Sequence, residues 1–206
     1  METVVIKNDD LSFAVEVILR GGLVGVPTET VYGLAGNGLD AKAVAEIYEV
    51  KGRPAVKPLS LLVPDLNIAE TVCAEIPESA RKLAAAFWPG PLTIVLKKRG
   101  TVPDIVTGGG DTIGVRCPDH PKTLAFLRQA GVPAAAPSAN VSDMPSPKSA
   151  QDVLDYFSGK IDCIIDGGTC VLGVESTIVD LTVNPYRILR RGALAEWEIM
   201  SVLNSK

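Results

Sequence analysis

Short apolar runs alternate with stretches of helical period along almost the whole chain, and proline and glycine fill the breaks between them. The runs Thr3–Lys7, Leu23–Val26, Leu59–Val63, Leu92–Leu96, Thr112–Arg116, Pro133–Ala136, Cys163–Ile165, Ser176–Leu181 and Arg187–Leu189 have the length of strands. Helical patterns lie at Leu11–Arg20, Asp40–Val50, Leu66–Val72, Pro77–Phe87, Pro121–Ala130, Ser149–Phe157 and Glu196–Leu203. Such alternation buries strand faces beneath helices and predicts an α/β layered fold. Turns as short as Val183-Asn184-Pro185 join the last strands, so pairing there is expected to be antiparallel and the sheet mixed parallel and antiparallel. Asp9 or Asp10 is placed to cap the first helix, Gly21-Gly22 to end it, and Ser149 to cap a later one. No repeat, low-complexity tract or linker breaks the pattern, and residues 1–206 are read as one domain.

Composition narrows the class. Hydrophobic residues make up 47% and aromatics 5%, so the core must be aliphatic. No apolar run approaches the roughly 20 residues that a membrane span needs, and no membrane role is expected. The N-terminus lacks a basic stretch followed by a long apolar one, so a cytoplasmic location is expected. Cys73, Cys117, Cys163 and Cys170 have no CxxC spacing and only His120 to help them, so they are read as reduced core thiols with no metal site. The net charge of −4 and a pI near 5.1 weigh against a grip on long nucleic acid, yet leave room for a local basic cleft.

Polar groups gather at several strand–helix junctions, where open α/β sheets bind ligands. Pro27–Gly33 holds two threonines, a carboxylate and a phenol. Lys51-Gly52-Arg53-Pro54, with Lys57 beyond, sets three cations within seven residues beside the stiffening Pro54 and Pro58; it is either an anion clamp or a solvated basic loop. Thr112, Gly114 and Arg116 alternate onto one strand face, and Arg116 is either a carboxylate ligand or an edge charge. Ala136-Pro137-Ser138-Ala139-Asn140, followed by Ser142 and Ser146, lets a ligand approach the backbone and offers donors and acceptors. Glu175-Ser176 heads a late strand, and Arg190-Arg191 ends the next. GxxxxGK[ST], GxGxxG and GxSxG are all absent, which excludes ordinary P-loop, Rossmann and hydrolase sites.

In order, PTETVYGL (Pro27–Leu34), KGRP with KPLS (Lys51–Pro54, Lys57–Ser60), PGPLT (Pro89–Thr93), SAN (Ser138–Asn140) and ESTIVD (Glu175–Asp180) resemble the YrdC/TsaC family, the threonylcarbamoyl-AMP synthases. The resemblance runs from Leu11 to about Gly192. It implies a twisted mixed sheet with flanking helices and a deep basic concavity. It also implies a nucleotidyltransferase that condenses ATP, bicarbonate and L-threonine to threonylcarbamoyl-AMP and pyrophosphate, with Mg²⁺ arriving on the ATP. The product would feed N6-threonylcarbamoyladenosine formation in tRNA through downstream transfer proteins, with transient tRNA contact.

The same resemblance assigns residues. Arg53, Lys57, Thr112, Ser138, Asn140, Ser146 and Arg190 would bind ATP. Thr30, Arg116, Ser176 and the Ala136 backbone would bind L-threonine, and Lys51 and Arg53 would act in catalysis. Leu62 stands where some members carry a threonine-contacting histidine, so that contact is absent or replaced. The chain looks like the short form, without the C-terminal domain of longer relatives. The alternatives are a non-catalytic RNA-binding module in the same cleft and a carbamoyl-adenylating protein of hydrogenase maturation; the latter would carry acylphosphatase and zinc-finger regions not seen here.

Overall fold

The computed structural model describes residues 2–204. Its strands are β1 (Val4–Ile6), β2 (Val24–Val26), β3 (Gly33–Asn37), β4 (Ser60–Leu62), β5 (Leu92–Lys97), β6 (Thr112–Arg116), β7 (Ala134–Ala135), β8 (Cys163–Ile165), β9 (Thr177–Asp180) and β10 (Arg187–Arg190). The helices are α1 (Ser12–Leu19), α2 (Ala41–Lys51), α3 (Leu66–Val72), α4 (Glu78–Phe87), α5 (Pro121–Ala130), α6 (Ala150–Phe157) and α7 (Glu196–Asn204). A 3-10 turn at Asp104–Thr107 precedes β6.

The strands form one ten-stranded sheet in the order β1-β8-β2-β3-β7-β4-β6-β5-β9-β10. β8 pairs parallel with β1 and β2, β4 with β6, and β5 with β9, while the remaining pairs are antiparallel. The sheet is therefore mixed, and its β9–β10 end is antiparallel as the short turn predicts. β6 lies between β4 and β5, so Arg116 is not an edge charge.

Side-chain alternation sends β3, β4, β7, β8 and the run Leu23–Val26 into two apolar layers. Cys163 and Ile165 join Val24, Val26 and Ala35 beneath α1 and α5. Their neighbours Ile164, Leu23 and Leu34 join the larger cluster with α2, α4 and α6. The layers are built almost wholly from Val, Ile, Leu and Ala, in keeping with the scarcity of aromatics. All four cysteines are buried free thiols, and burial pushes Cys73 and Cys163 up to about 12.

Helix ends follow local chemistry. Asp40 caps α2 by accepting the Lys42 N–H at 2.8 Å, and Gly52 ends it in the left-handed region at φ +60°. Ser149 and Asp152 form a capping box on α6. The expected aspartate cap of α1 is displaced: Leu11 is the capping residue, and Asp10 takes the Ser12 N–H from one position earlier. β3 is not among the strands that the apolar runs predict. Its sequence Gly-Leu-Ala-Gly-Asn has little intrinsic strand preference, and pairing with β2 and β7 imposes the conformation.

Candidate active site

Two cavities open at the junctions named above. The inner one, about 310 Å³, is lined by Thr30, Arg116, Ala136, Ser176, Arg190 and Leu62, with Thr28, Ser60 and Thr93 among its other polar groups. The outer one, about 240 Å³, is lined by Lys51, Lys57, Asn140, Ser142, Met144 and Ser146, with Asp143. Arg53, Ser138 and Glu175 line both and stand where the cavities meet. Eleven of the twelve residues singled out for binding or catalysis line one cavity or the other, and Thr112 lines neither. Thr112 begins β6 opposite Lys97, at the far end of the strand from Arg116.

The inner cavity is lined by hydroxyls that bond to one another, to the backbone and to arginine. Thr28 Oγ1 accepts the N–H groups of Thr30 and Val31 and donates to the Val31 carbonyl at 2.7 Å. Thr30 Oγ1 lies 2.8 Å from Thr28 Oγ1 and presents its remaining hydrogen-bonding capacity to the cavity. Ser176 Oγ lies 2.8 Å from Thr93 Oγ1 and accepts from Arg190 Nη2 at 3.0 Å. Arg190 also donates Nε to the Ser176 carbonyl and pairs through Nη1 with Glu175 at 2.6 Å. Burial lowers Arg190 from its ordinary value and Glu175 opposes the shift, so the guanidinium stays charged. Arg116 is 7% exposed; its Nε donates to the Gly90 carbonyl and its Nη2 lies 2.7 Å from Glu29 Oε1.

The outer cavity depends on Lys51, only 1% exposed at the end of α2. Its ammonium donates to the carbonyls of Ser138 and Asn140 and to Asn140 Oδ1, which together take its three protons. Asn140 Oδ1 also accepts from Ser138 Oγ, and Asn140 Nδ2 donates to the Met144 carbonyl. The spaced lysine and SAN motifs are thus one cross-link between α2 and the loop at 138–144. Burial, with Arg53 nearby, lowers the Lys51 ammonium to about 8. Arg53 folds along its own segment and donates Nη2 to the Pro58 carbonyl at 3.1 Å. Lys57 is half exposed and lies 3.9 Å from Asp143, a pair worth little in solvent. Ser146 donates to Glu175 Oε1 at 3.2 Å, which links the outer cavity to the Glu175–Arg190 pair.

Ser60, Thr93 and Glu175 stand inside the sequence motifs without a role assigned there; all three line the inner cavity. Among the described residues no group of three or more His, Cys, Asp and Glu side chains could hold a metal ion. The two carboxylates of the outer cavity, Glu175 and Asp143, are each engaged with a cation, so this cavity offers no preformed oxygen cage. No helix among the described residues is long and apolar enough to cross a membrane.

Fold and cavities together define an α/β protein with two adjoining polar cavities, one lined by buried hydroxyls and arginine, the other by lysine and arginine. The chain belongs to the Sua5/YciO/YrdC family, whose model, described as "Telomere recombination", matches residues 16–192. Threonylcarbamoyl-AMP synthase of Pyrococcus abyssi is 50% identical over 96% of this chain and 58% of its own length. A putative threonylcarbamoyl-AMP synthase of Methanocaldococcus jannaschii is 38% identical over 89% of this chain and 86% of its own. The crystal structure of P. abyssi Sua5 complexed with L-threonine superposes with a TM-score of 0.95 at 47% identity, over 99% of this chain and 61% of that one. The chain therefore spans a little over half the length of the Pyrococcus relative, and 57% of a Bacillus subtilis synthase that is 41% identical.

Proposed function

We propose that this chain synthesises threonylcarbamoyl-AMP from ATP, bicarbonate and L-threonine, releasing pyrophosphate. The observation that carries the reading is the shared wall of the two cavities. Arg53, Ser138 and Glu175 line both, so an amino acid in the inner one and a nucleotide in the outer one would meet there. The names of the relatives and the L-threonine complex of the Pyrococcus protein support the same reading. The RNA-binding alternative draws no support from those names.

Arg116 holds the threonine carboxylate, and the lone pairs of Thr30 accept from its amine. Ser176 and the Ala136 backbone orient the rest of the amino acid. The ammonium of zwitterionic threonine gives a proton to solvent water, and the freed amine nitrogen bonds to the carbon of bicarbonate as one water leaves. A carbamate oxygen then attacks the α-phosphorus, and pyrophosphate departs. Arg53 and Lys57 neutralise the triphosphate, and Arg190, which lines the inner cavity, would meet it only from that side where the cavities join; Ser138, Ser146 and the Asn140 segment shape its bed under the control of Lys51. Thr112 lines neither cavity and has no role in this arrangement. Mg²⁺ brought by ATP would supply further neutralisation of the leaving pyrophosphate, with Glu175 and Asp143 the carboxylates that line the outer cavity. Catalysis here is alignment and charge compensation rather than proton transfer by a dedicated base. We place the reaction in the cytoplasm, upstream of tRNA N6-threonylcarbamoyladenosine formation by separate transfer proteins, with only transient contact to tRNA.

Pyrophosphate release with each of threonine, bicarbonate and ATP omitted in turn tests the reading: all three must be required. Arg53→Ala should lower kcat/KM by about 100-fold, the scale of one lost charge-stabilising donor, with the melting temperature nearly unchanged. Turnover within about twofold of wild type would overturn the assignment of Arg53.

A further inference from the structure

The glutamate inside PTETVYGL and the glycine-proline turn that opens PGPLT play no part in the reaction as described, yet both converge on Arg116. Glu29 is 8% exposed and its Oε1 lies 2.7 Å from Arg116 Nη2. The other carboxylate oxygen, Oε2, accepts the Asp119 N–H at 3.1 Å, and the Glu29 carbonyl accepts the Leu172 N–H at 2.8 Å. The residue is thus fixed from both ends. On the far side, Arg116 Nε donates to the Gly90 carbonyl at 3.1 Å, and the Gly90 N–H is held by the Cys117 carbonyl at 2.8 Å. A guanidinium on a flexible stem is clamped between two loops brought from distant parts of the sequence.

We infer that Glu29 is a positioning residue for amino-acid recognition: with the Gly90 carbonyl it sets the orientation in which Arg116 meets the substrate carboxylate. This rests on the proposed function. Three observations carry it. Arg116 lines the inner cavity and Glu29 does not, so Glu29 acts through its partner. Nε and Nη2 are occupied by the clamp, while Nη1 has no hydrogen-bond partner among the described residues. Finally, the Nη2–Oε1 contact is at ion-pair distance but lacks hydrogen-bond alignment, and both atoms are buried without another partner. Electrostatic attraction therefore holds the buried Nη2 against Glu29, and the donor left to an entering carboxylate is Nη1. Neutralisation by Glu29 also matters for selectivity. A lone buried guanidinium would attract any small anion, whereas one already balanced favours a ligand that brings its own ammonium.

The test compares wild type with Glu29→Gln and Glu29→Asp. The amide keeps the shape and loses the charge; aspartate keeps the charge and shortens the reach. Expected for Glu29→Gln is a rise in the KM for L-threonine of about tenfold or more, with the KM for ATP and kcat changed by less than about threefold. Glu29→Asp should recover part of that loss. The arginine Nε–H resonance of Arg116, followed by ¹⁵N NMR, should broaden or shift in Glu29→Gln while the backbone spectrum persists. Equal rises in both KM values with a lowered melting temperature would assign Glu29 a general structural role and overturn the inference, as would an unchanged threonine KM. If Glu29→Gln fails to fold, the Glu29→Asp values and its Arg116 resonance decide by the same criteria. Should wild type itself prove inactive with threonine, the function fails; the NMR comparison then judges the clamp alone, and an unchanged Arg116 resonance overturns it.

Discussion

Lys51 meets three acceptors with three N–H donors, and its burial is nearly complete. Only the charged form has three protons to give, so loss of one leaves a carbonyl at 138 or 140 without its donor. Burial brings that loss into range by lowering the ammonium to about 8. Two consequences have opposite signs. The folded value lies below the ordinary 10.5, so between about 8 and 10.5 the unfolded chain binds more protons, and this group's contribution to stability rises with pH. The proposed nucleotide binding would run the other way, because the charge and the tether of the 138–144 loop both weaken as pH passes through 8. Calorimetry with a non-hydrolysable ATP analogue from pH 7 to 9.5 should record a fall in affinity of roughly tenfold, about 1.4 kcal/mol. Lys51→Met should bind weakly and without that pH dependence. A flat wild-type profile would remove Lys51 from nucleotide binding.

At the scale of elements, the segment carrying Arg53 and Lys57 owes its shape to neighbours that no local motif predicts. Tyr48 on α2 donates its hydroxyl to the Lys57 carbonyl at 3.0 Å or the Ile105 carbonyl at 3.1 Å, and Leu59 N–H donates to Val106. Gly108, at φ +61°, packs so closely on the Val56 backbone that a side chain there would collide with it. The 3-10 turn at 104–107 and the glycines after it are thus a buttress for the segment that carries Arg53 and Lys57. Tyr48→Phe should cost about 1 kcal/mol in stability and raise the KM for ATP severalfold while sparing that for threonine, measurable by urea unfolding and steady-state kinetics. Equal effects on both substrates would place the defect elsewhere. The same elements explain what the sequence could disclose. Apolar runs, caps and glycine stops are local signals, and they place most strands, α2, α5 and α6 to within a residue or two. β3 and the Tyr48 tether come from contacts between distant segments, so no window of sequence contains them. The site divides likewise: motif residues such as Thr30, Arg53 and Ser176 are legible by type, but the commitment of Lys51 to backbone carbonyls and the clamp on Arg116 exist only once the loops meet.

The whole molecule is acidic, with a net charge of −4, yet its two cavities are lined by five cations and two carboxylates. The cations differ in depth. Arg116 is 7% exposed and paired with a buried glutamate, whereas the Lys57 side chain is 49% exposed. Salt screens exposed charges over a Debye length that shrinks from about 30 Å at 0.01 M to about 3 Å at 1 M, and it screens buried pairs far less. A polyanionic nucleotide in the outer cavity would depend on the exposed cations, and its approach would oppose the acidic remainder of the surface. A zwitterionic amino acid carries no net charge and would depend on Arg116 inside the inner cavity. Raising salt across that range should therefore weaken nucleotide binding by more than about tenfold and change L-threonine binding by less than about twofold, as measured by calorimetry on each ligand alone. Equal sensitivity of the two ligands would mean that both rely on the exposed cations, and the division of the site into a sheltered amino-acid side and a solvent-screened phosphate side would not stand.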